Sequence, residues 1–270
     1  MHERVSRALA VGVVLCGLIA VWYAAAAIVA AHGAQPLDRP LLPAPHQVAA
    51  TLIAGILEPV TSPRSLLYHA GVTASTAALG FVLALVAGIV LALGIVRMRA
   101  LDRSLMPWIV ASQTVPILAI APMVVVVLGN VGVTGVIPKA LIAAWLSFFP
   151  IVTSMVTGLR SPERLQLDLM RTYSAGGWDV FVKLRWPASM AFLFAGVKVA
   201  VTLAVVGAIV AELPTGAQAG LGARLLGASY YGQTLQLWAA LAMAAILALL
   251  AVAAADGARA VLVRSRGGRL

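Results

Sequence analysis

The sequence predicts an all-α polytopic membrane protein with six transmembrane helices. Of its 270 residues, 62% are hydrophobic and only 10% are charged, with a mean hydropathy of +1.01. Ordinary soluble domains do not have this composition. The charges cluster between apolar runs that are continuous and about twenty residues long, enough to cross a bilayer as helices. A membrane β-barrel would instead show alternating segments of roughly ten residues.

Taken in order, the predicted spans are about 9–31, 71–96, 108–128, 136–157, 190–212 and 234–255, within one transmembrane domain covering 1–270. The first has a basic start (Arg4, Arg7) and small residues near Ala31, as a signal peptide would. Its apolar run exceeds the usual 7–15 residues of such a peptide, so it is expected to remain as a helix. Between spans one and two, Pro36, Pro40, Pro43 and Pro45 precede an amphipathic pattern with Val48, Leu52, Ile53, Ile56 and Leu57 on one face. This helix either lies on the outer surface or packs beneath a loop. Segment 213–233 carries Gly216, Gly220, Gly222, Gly227 and Gly232, which suits a compact loop or a short re-entrant helix.

Charge orients the spans. With the N-terminus inside, fourteen Lys and Arg residues fall on the cytoplasmic side. Only Arg39, Arg64, Lys139 and Arg224 fall outside, and Lys198 lies within a span. By the positive-inside rule both termini are cytoplasmic. The same rule accounts for the net charge of +10 without invoking nucleic acid.

Catalytic and cofactor signatures are missing from the sequence. It holds one cysteine, Cys16, and four scattered histidines (His2, His32, His46, His69) without metal-ligand spacing. There is no HExxH, no GxSxG and no phosphate-cradling Gly-Lys loop. No enzyme activity, ATP binding or resident cofactor is expected of this chain.

Polar residues inside spans are the candidates for a solute pathway. Gln113 and Thr114 sit beside Pro116, with Pro122 following. Proline frees a backbone carbonyl, and broken backbone at membrane depth must be buried in protein or line a cavity. The pattern is either a pathway or a structural kink. Lys198 and Glu212 lie on nearly one face of span five, roughly 21 Å apart at 1.5 Å per residue. Lys198 either faces the interior or snorkels to the cytoplasmic surface. Glu212 is placed to line an outer gate, to pair with Arg224 or to meet an external partner.

The longest polar interruption, Asp168 to Pro187, reads DLMRTYSAGGWDVFVKLRWP. Ser161-Pro162-Glu163 resembles a helix start, with a short helix running to about Tyr173. Gly176-Gly177 is expected to break it. Trp178, Phe181, Val182 and Arg185 then recur at helical spacing, with Asp179 near the helix N-terminus, where an anion is favoured. Pro187 is expected to stop this second helix. The pattern is either a docking element or an amphipathic loop resting on the bilayer.

This stretch resembles the EAA motif of ABC-importer permeases: Glu-Ala-Ala, three residues, Gly, nine residues, Ile-x-Leu-Pro. Asp168 takes the Glu position, Ser174 the Gly, Leu184 the Ile, Trp186 the Leu and Pro187 the Pro. Leu169 and Met170 replace the alanines, and the motif glycine is serine, with Gly176-Gly177 nearby to supply the turn. The flanks Gln113–Met123, Phe148–Pro162, Ala195–Glu212 and Gly220–Gly222 are similar to the nitrate, sulfonate and taurine subgroup. The resemblance runs from about Pro43 to Asp256.

The resemblance implies the type I ABC importer permease fold in a bacterial inner membrane. Segment 168–187 would be the coupling helix, meeting a cytoplasmic ATPase dimer through Asp168, Tyr173, Ser174, Gly176, Gly177, Trp178, Phe181, Leu184 and Pro187. A second permease subunit, most simply an identical copy, and an extracytoplasmic substrate-binding protein complete the implied assembly. The solute would be a sulfonate, nitrate, taurine or a pyrimidine- or riboflavin-like heterocycle, and the stretch from Glu212 to Gly222 leans towards the heterocycle. The rivals are a secondary transporter, expected to show inverted repeats or embedded carboxylates, and an intramembrane enzyme, expected to show a nucleophile–base pair at mid-depth.

Overall fold

The computed structural model describes residues 2–32, 40–213 and 217–265. Pro36, Arg39, Gly216, Arg266 and Arg269 lie outside the described residues, as do the side chains of Arg4 and Arg7. Every regular element among the described residues is helical: α1 (His2–His32), α2 (Pro45–Leu57), α3 (Leu66–Arg97), α4 (Arg99–Ala111), α5 (Ile117–Asn130), α6 (Val136–Arg160), α7 (Arg164–Thr172), α8 (Gly177–Val180), α9 (Trp186–Glu212), α10 (Leu221–Tyr230) and α11 (Thr234–Ser265). A 3₁₀ turn at Ser112–Thr114 follows α4, and a π-turn at Phe181–Arg185 links α8 to α9. Five helical segments are long and apolar enough to cross a membrane, and α4 with α5 makes a sixth when taken as a bent pair.

The core is a three-helix packing of α3, α6 and α9, with α6 in the middle. Ile151, Val152, Met155 and Leu159 of α6 meet Ala84, Ala92 and Ile95 of α3 and Leu193, Val197 and Ala200 of α9. Lipid-embedded helices gain little hydrophobic driving force from associating, so close van der Waals contact between small residues holds them. Gly196 shows how close: a Cβ there would stand 2.7 Å from the Pro150 carbonyl oxygen. By contrast α1 is largely exposed. It is tied down near its end, where Trp22 Nε1 donates to the Pro43 carbonyl at 3.1 Å and Trp22 packs on Trp238 of α11.

At two prolines the structure differs from the sequence expectation. The predicted span 108–128 is not one kinked helix. α4 already begins at Arg99, and α4 and α5 meet at 103° across the break. Pro116 brings no N–H, and it pushes Val115 into extended backbone (φ −75°, ψ 123°). Nor does Pro187 stop a helix. The path from Gly177 to Glu212 is helical throughout, with Pro187 in the first turn of α9, where a missing donor is tolerated. The preceding π-turn, closed by Trp186 N–H to the Phe181 carbonyl, takes up the register change.

Candidate functional site

Residues 163–186 form an elbow between α6 and α9. α7 begins at Arg164, with Glu163 as N-cap, and not at Ser161, which caps the end of α6. The Glu163 N–H donates to Gln166 Oε1 at 3.0 Å. The helix closes in a Schellman turn: Ala175 N–H donates to the Met170 carbonyl at 3.0 Å and Ser174 N–H to that of Arg171 at 2.8 Å. Ser174 takes φ +53° to make this turn. Gly176 and Gly177 therefore do not supply it. Gly176 is extended (φ −69°, ψ 166°) and serves as N-cap of α8.

The elbow is charged and apolar at once. Arg171 pairs with Asp168 at 2.9 Å and Lys183 with Asp179 at 2.6 Å, all on the surface. Leu165, Leu169, Tyr173 and Trp178 are exposed, Trp178 to 75%. Inward of them runs an aromatic series. Trp178 lies 5.6 Å from Phe181 and Phe181 lies 5.9 Å from Trp186, centroid to centroid. Phe181 and Trp186 pack on the α3–α6–α9 core. Leu184 and Pro187 are partly buried.

At the opposite end of the bundle lies a buried polar cluster. Glu212, His69 and Thr73 are enclosed, and together they receive three successive backbone donors at the start of α10. Gly220 N–H donates to His69 Nδ1 at 3.0 Å, Leu221 N–H to Thr73 Oγ1 at 2.8 Å and Gly222 N–H to Glu212 Oε2 at 2.8 Å. A helix start leaves such donors without intrahelical partners. Because a backbone N–H can only donate, His69 Nδ1 must accept. Its Nε2 then carries the proton given to the Pro63 carbonyl at 2.9 Å. Gly220, at φ +121°, has no room for a Cβ against the Glu212 carboxylate. The predicted Glu212–Arg224 pair does not form: Arg224 Nη2 donates to Gln236 Oε1 at 2.8 Å. Sequence reasoning missed His69 and Thr73. Their four-residue spacing on α3 was the available signal.

The remaining candidates lie apart from this cluster. Gln113, Thr114 and Pro116 are exposed at the α4–α5 bend. The Ser112 and Thr114 hydroxyls donate back to the carbonyls of Ile109 and Ala111 at 2.7 and 2.8 Å. Lys198 Nζ pairs with Asp256 Oδ1 of α11 at 2.5 Å. No cluster of three or more metal-ligating side chains occurs among the described residues.

A bundle of apolar spans, with one structured elbow between two of them, defines a polytopic membrane protein. Residues 84–267 match the family of binding-protein-dependent transport system inner membrane components, and the chain belongs to that family. It is similar to the formylaminopyrimidine transport permease protein ThiX of Halalkalibacterium halodurans, 32% identical over 70% of this chain and 72% of that protein. The riboflavin transport system permease protein RibX of Chloroflexus aurantiacus is 32% identical over 62% of this chain and 61% of that protein. The putative aliphatic sulfonates transport permease protein SsuC of Bacillus subtilis is 27% identical over 66% and 63%. The chain is thus an ABC importer permease for small solutes and a multi-pass inner-membrane protein. Its family works with an ATPase and a substrate-binding protein.

Proposed function

We propose that this permease imports a small nitrogen heterocycle, working as a homodimer with two cytoplasmic ATPases and an external binding protein. ThiX and RibX, whose names carry a pyrimidine and a flavin, support the heterocycle over a sulfonate. The elbow 163–186 is the docking element for the ATPase. The observation that carries this is the exposed ridge of Leu165, Leu169, Tyr173 and Trp178, backed by an aromatic series that reaches the core. Exposed aromatic anchors of this kind dominate protein interfaces.

Transport then follows from alternating access. Closure of the ATPases moves the two elbows together. The helical path from Gly177 to Glu212 carries that motion to the spans, because each state makes different contacts. Gln113, Thr114 and the broken backbone at Pro116 face the solute at the subunit interface, where polar groups at membrane depth find water or protein. Both termini and the elbow are cytoplasmic, in line with the charge asymmetry.

The test is Trp178→Ala in the assembled transporter. ATP hydrolysis should persist while uptake falls at least tenfold, and unchanged coupling would remove the elbow from the ATPase interface. In the same assay Gln113→Ala should change the uptake KM, and an unaltered KM would remove Gln113 from the pathway.

A further inference from the structure

A polar cleft of about 370 Å³ opens between α2, the start of α3, α10 and the start of α11, at the end of the bundle away from the elbow. Thr51, Glu58, Arg64, Arg224, Gln233 and Gln236 line it. Its depth is set by the spans themselves. Arg64 stands two residues before α3 begins at Leu66, and Gln233 immediately precedes Thr234, where α11 begins. The cleft therefore sits at the boundary between hydrocarbon and water.

The cleft's charges are unusual for that position. Arg224 is partly buried and its polar partner is the neutral Gln236. Burial lowers its proton affinity first, and the nearby positive charge of Arg64 lowers it further. Among the described residues neither arginine makes an ion pair. Two like charges facing one recess repel unless an anion lies between them, and guanidinium forks suit oxyanions, often two bonds at a time. The Gln233 and Gln236 amides and the Thr51 hydroxyl add neutral hydrogen-bonding groups. Glu58 adds a single carboxylate, which opposes a simple anion but attracts an ammonium group.

We propose that this cleft binds a zwitterion of the phosphoethanolamine type, its oxyanion held between Arg64 and Arg224 and its ammonium on Glu58. The position at the membrane boundary suits a phosphatidylethanolamine headgroup, and a free aminated oxyanion carries the same chemistry. The site is separate from the elbow and from the α4–α5 bend. Its outcome is independent of the ATPase coupling that Trp178→Ala reads.

The test is native mass spectrometry of the purified permease titrated with phosphatidylethanolamine and with phosphatidylglycerol, alongside calorimetry with free phosphoethanolamine. The ethanolamine lipid should be retained preferentially. Arg64→Gln and Arg224→Gln should each weaken its retention about tenfold, the scale of a lost charge-assisted hydrogen bond. Glu58→Gln should keep oxyanion binding but erase the preference over phosphatidylglycerol, which a general loss of folding would not do. Retention of the lipid with no calorimetric signal assigns a headgroup site. A signal from free phosphoethanolamine that competes with the lipid assigns a solute site. Equal retention of both lipids by the wild-type protein, or an unchanged preference in Glu58→Gln, overturns the proposal.

Discussion

Thr73 and Glu212 meet across 139 residues of sequence, the threonine hydroxyl lying 3.0 Å from both carboxylate oxygens. The same Thr73 oxygen accepts the Leu221 N–H. One buried hydroxyl therefore links α3, α9 and the start of α10. Thr73→Val should leave the Leu221 donor unsatisfied and take one partner from Glu212. A buried polar group without a partner costs about 1–3 kcal/mol, so the variant should lose several degrees of thermal stability in detergent. Glu212→Gln can still accept from Gly222 and should be milder. A melting temperature for Thr73→Val within a degree of wild type would show that the cluster does not hold α10.

Ser174 offers a gain instead of a loss. A non-glycine residue in the left-handed region costs roughly 1–2 kcal/mol, and Ser174 occupies it at φ +53°. Ser174→Gly should relieve that cost and slow hydrogen exchange across residues 170–180, with transport retained. Ser174→Val should speed exchange there and weaken coupling. If glycine leaves exchange unchanged or faster, the Schellman turn is not the strained point of the elbow.

Lys198 and Asp256 should behave as a pair. Each charge lies within an apolar span, where an unpaired charge is costly, and each supplies the other at 2.5 Å. Lys198→Met and Asp256→Asn should each lower the unfolding midpoint. The double variant should recover part of the loss, with a coupling on the order of 1 kcal/mol. Strictly additive losses in this cycle would mean that the pair contributes nothing between α9 and α11.

Topology is open to chemical labelling. In a Cys16→Ser background, cysteines placed at Ser62 and Ser174 should differ in access to an impermeant reagent applied to intact cells. Ser62 should label and Ser174 should not. The reverse pattern would invert the orientation drawn from the distribution of Lys and Arg.

Composition and the length of the apolar runs were enough to establish an all-helical membrane chain, because the bilayer imposes one length and one backbone solution. That two short helices with a turn between them fill the polar stretch was equally readable, since those signals are local. Neighbouring structure decided how that stretch turns. A glycine pair looked like the break, yet the turn formed at Ser174, where the carbonyls of Met170 and Arg171 were waiting for donors. Glu212 was legible as an ionisable residue at a span end but not as a buried one. Its partners include Thr73 on a distant helix and a backbone N–H that is presented only once α10 forms. Arg224 likewise turned to Gln236 on α11. Periodicity and charge report what a segment exchanges with lipid and water. Which polar group satisfies which depends on helices packed from remote parts of the chain, and only the tertiary structure brings them together.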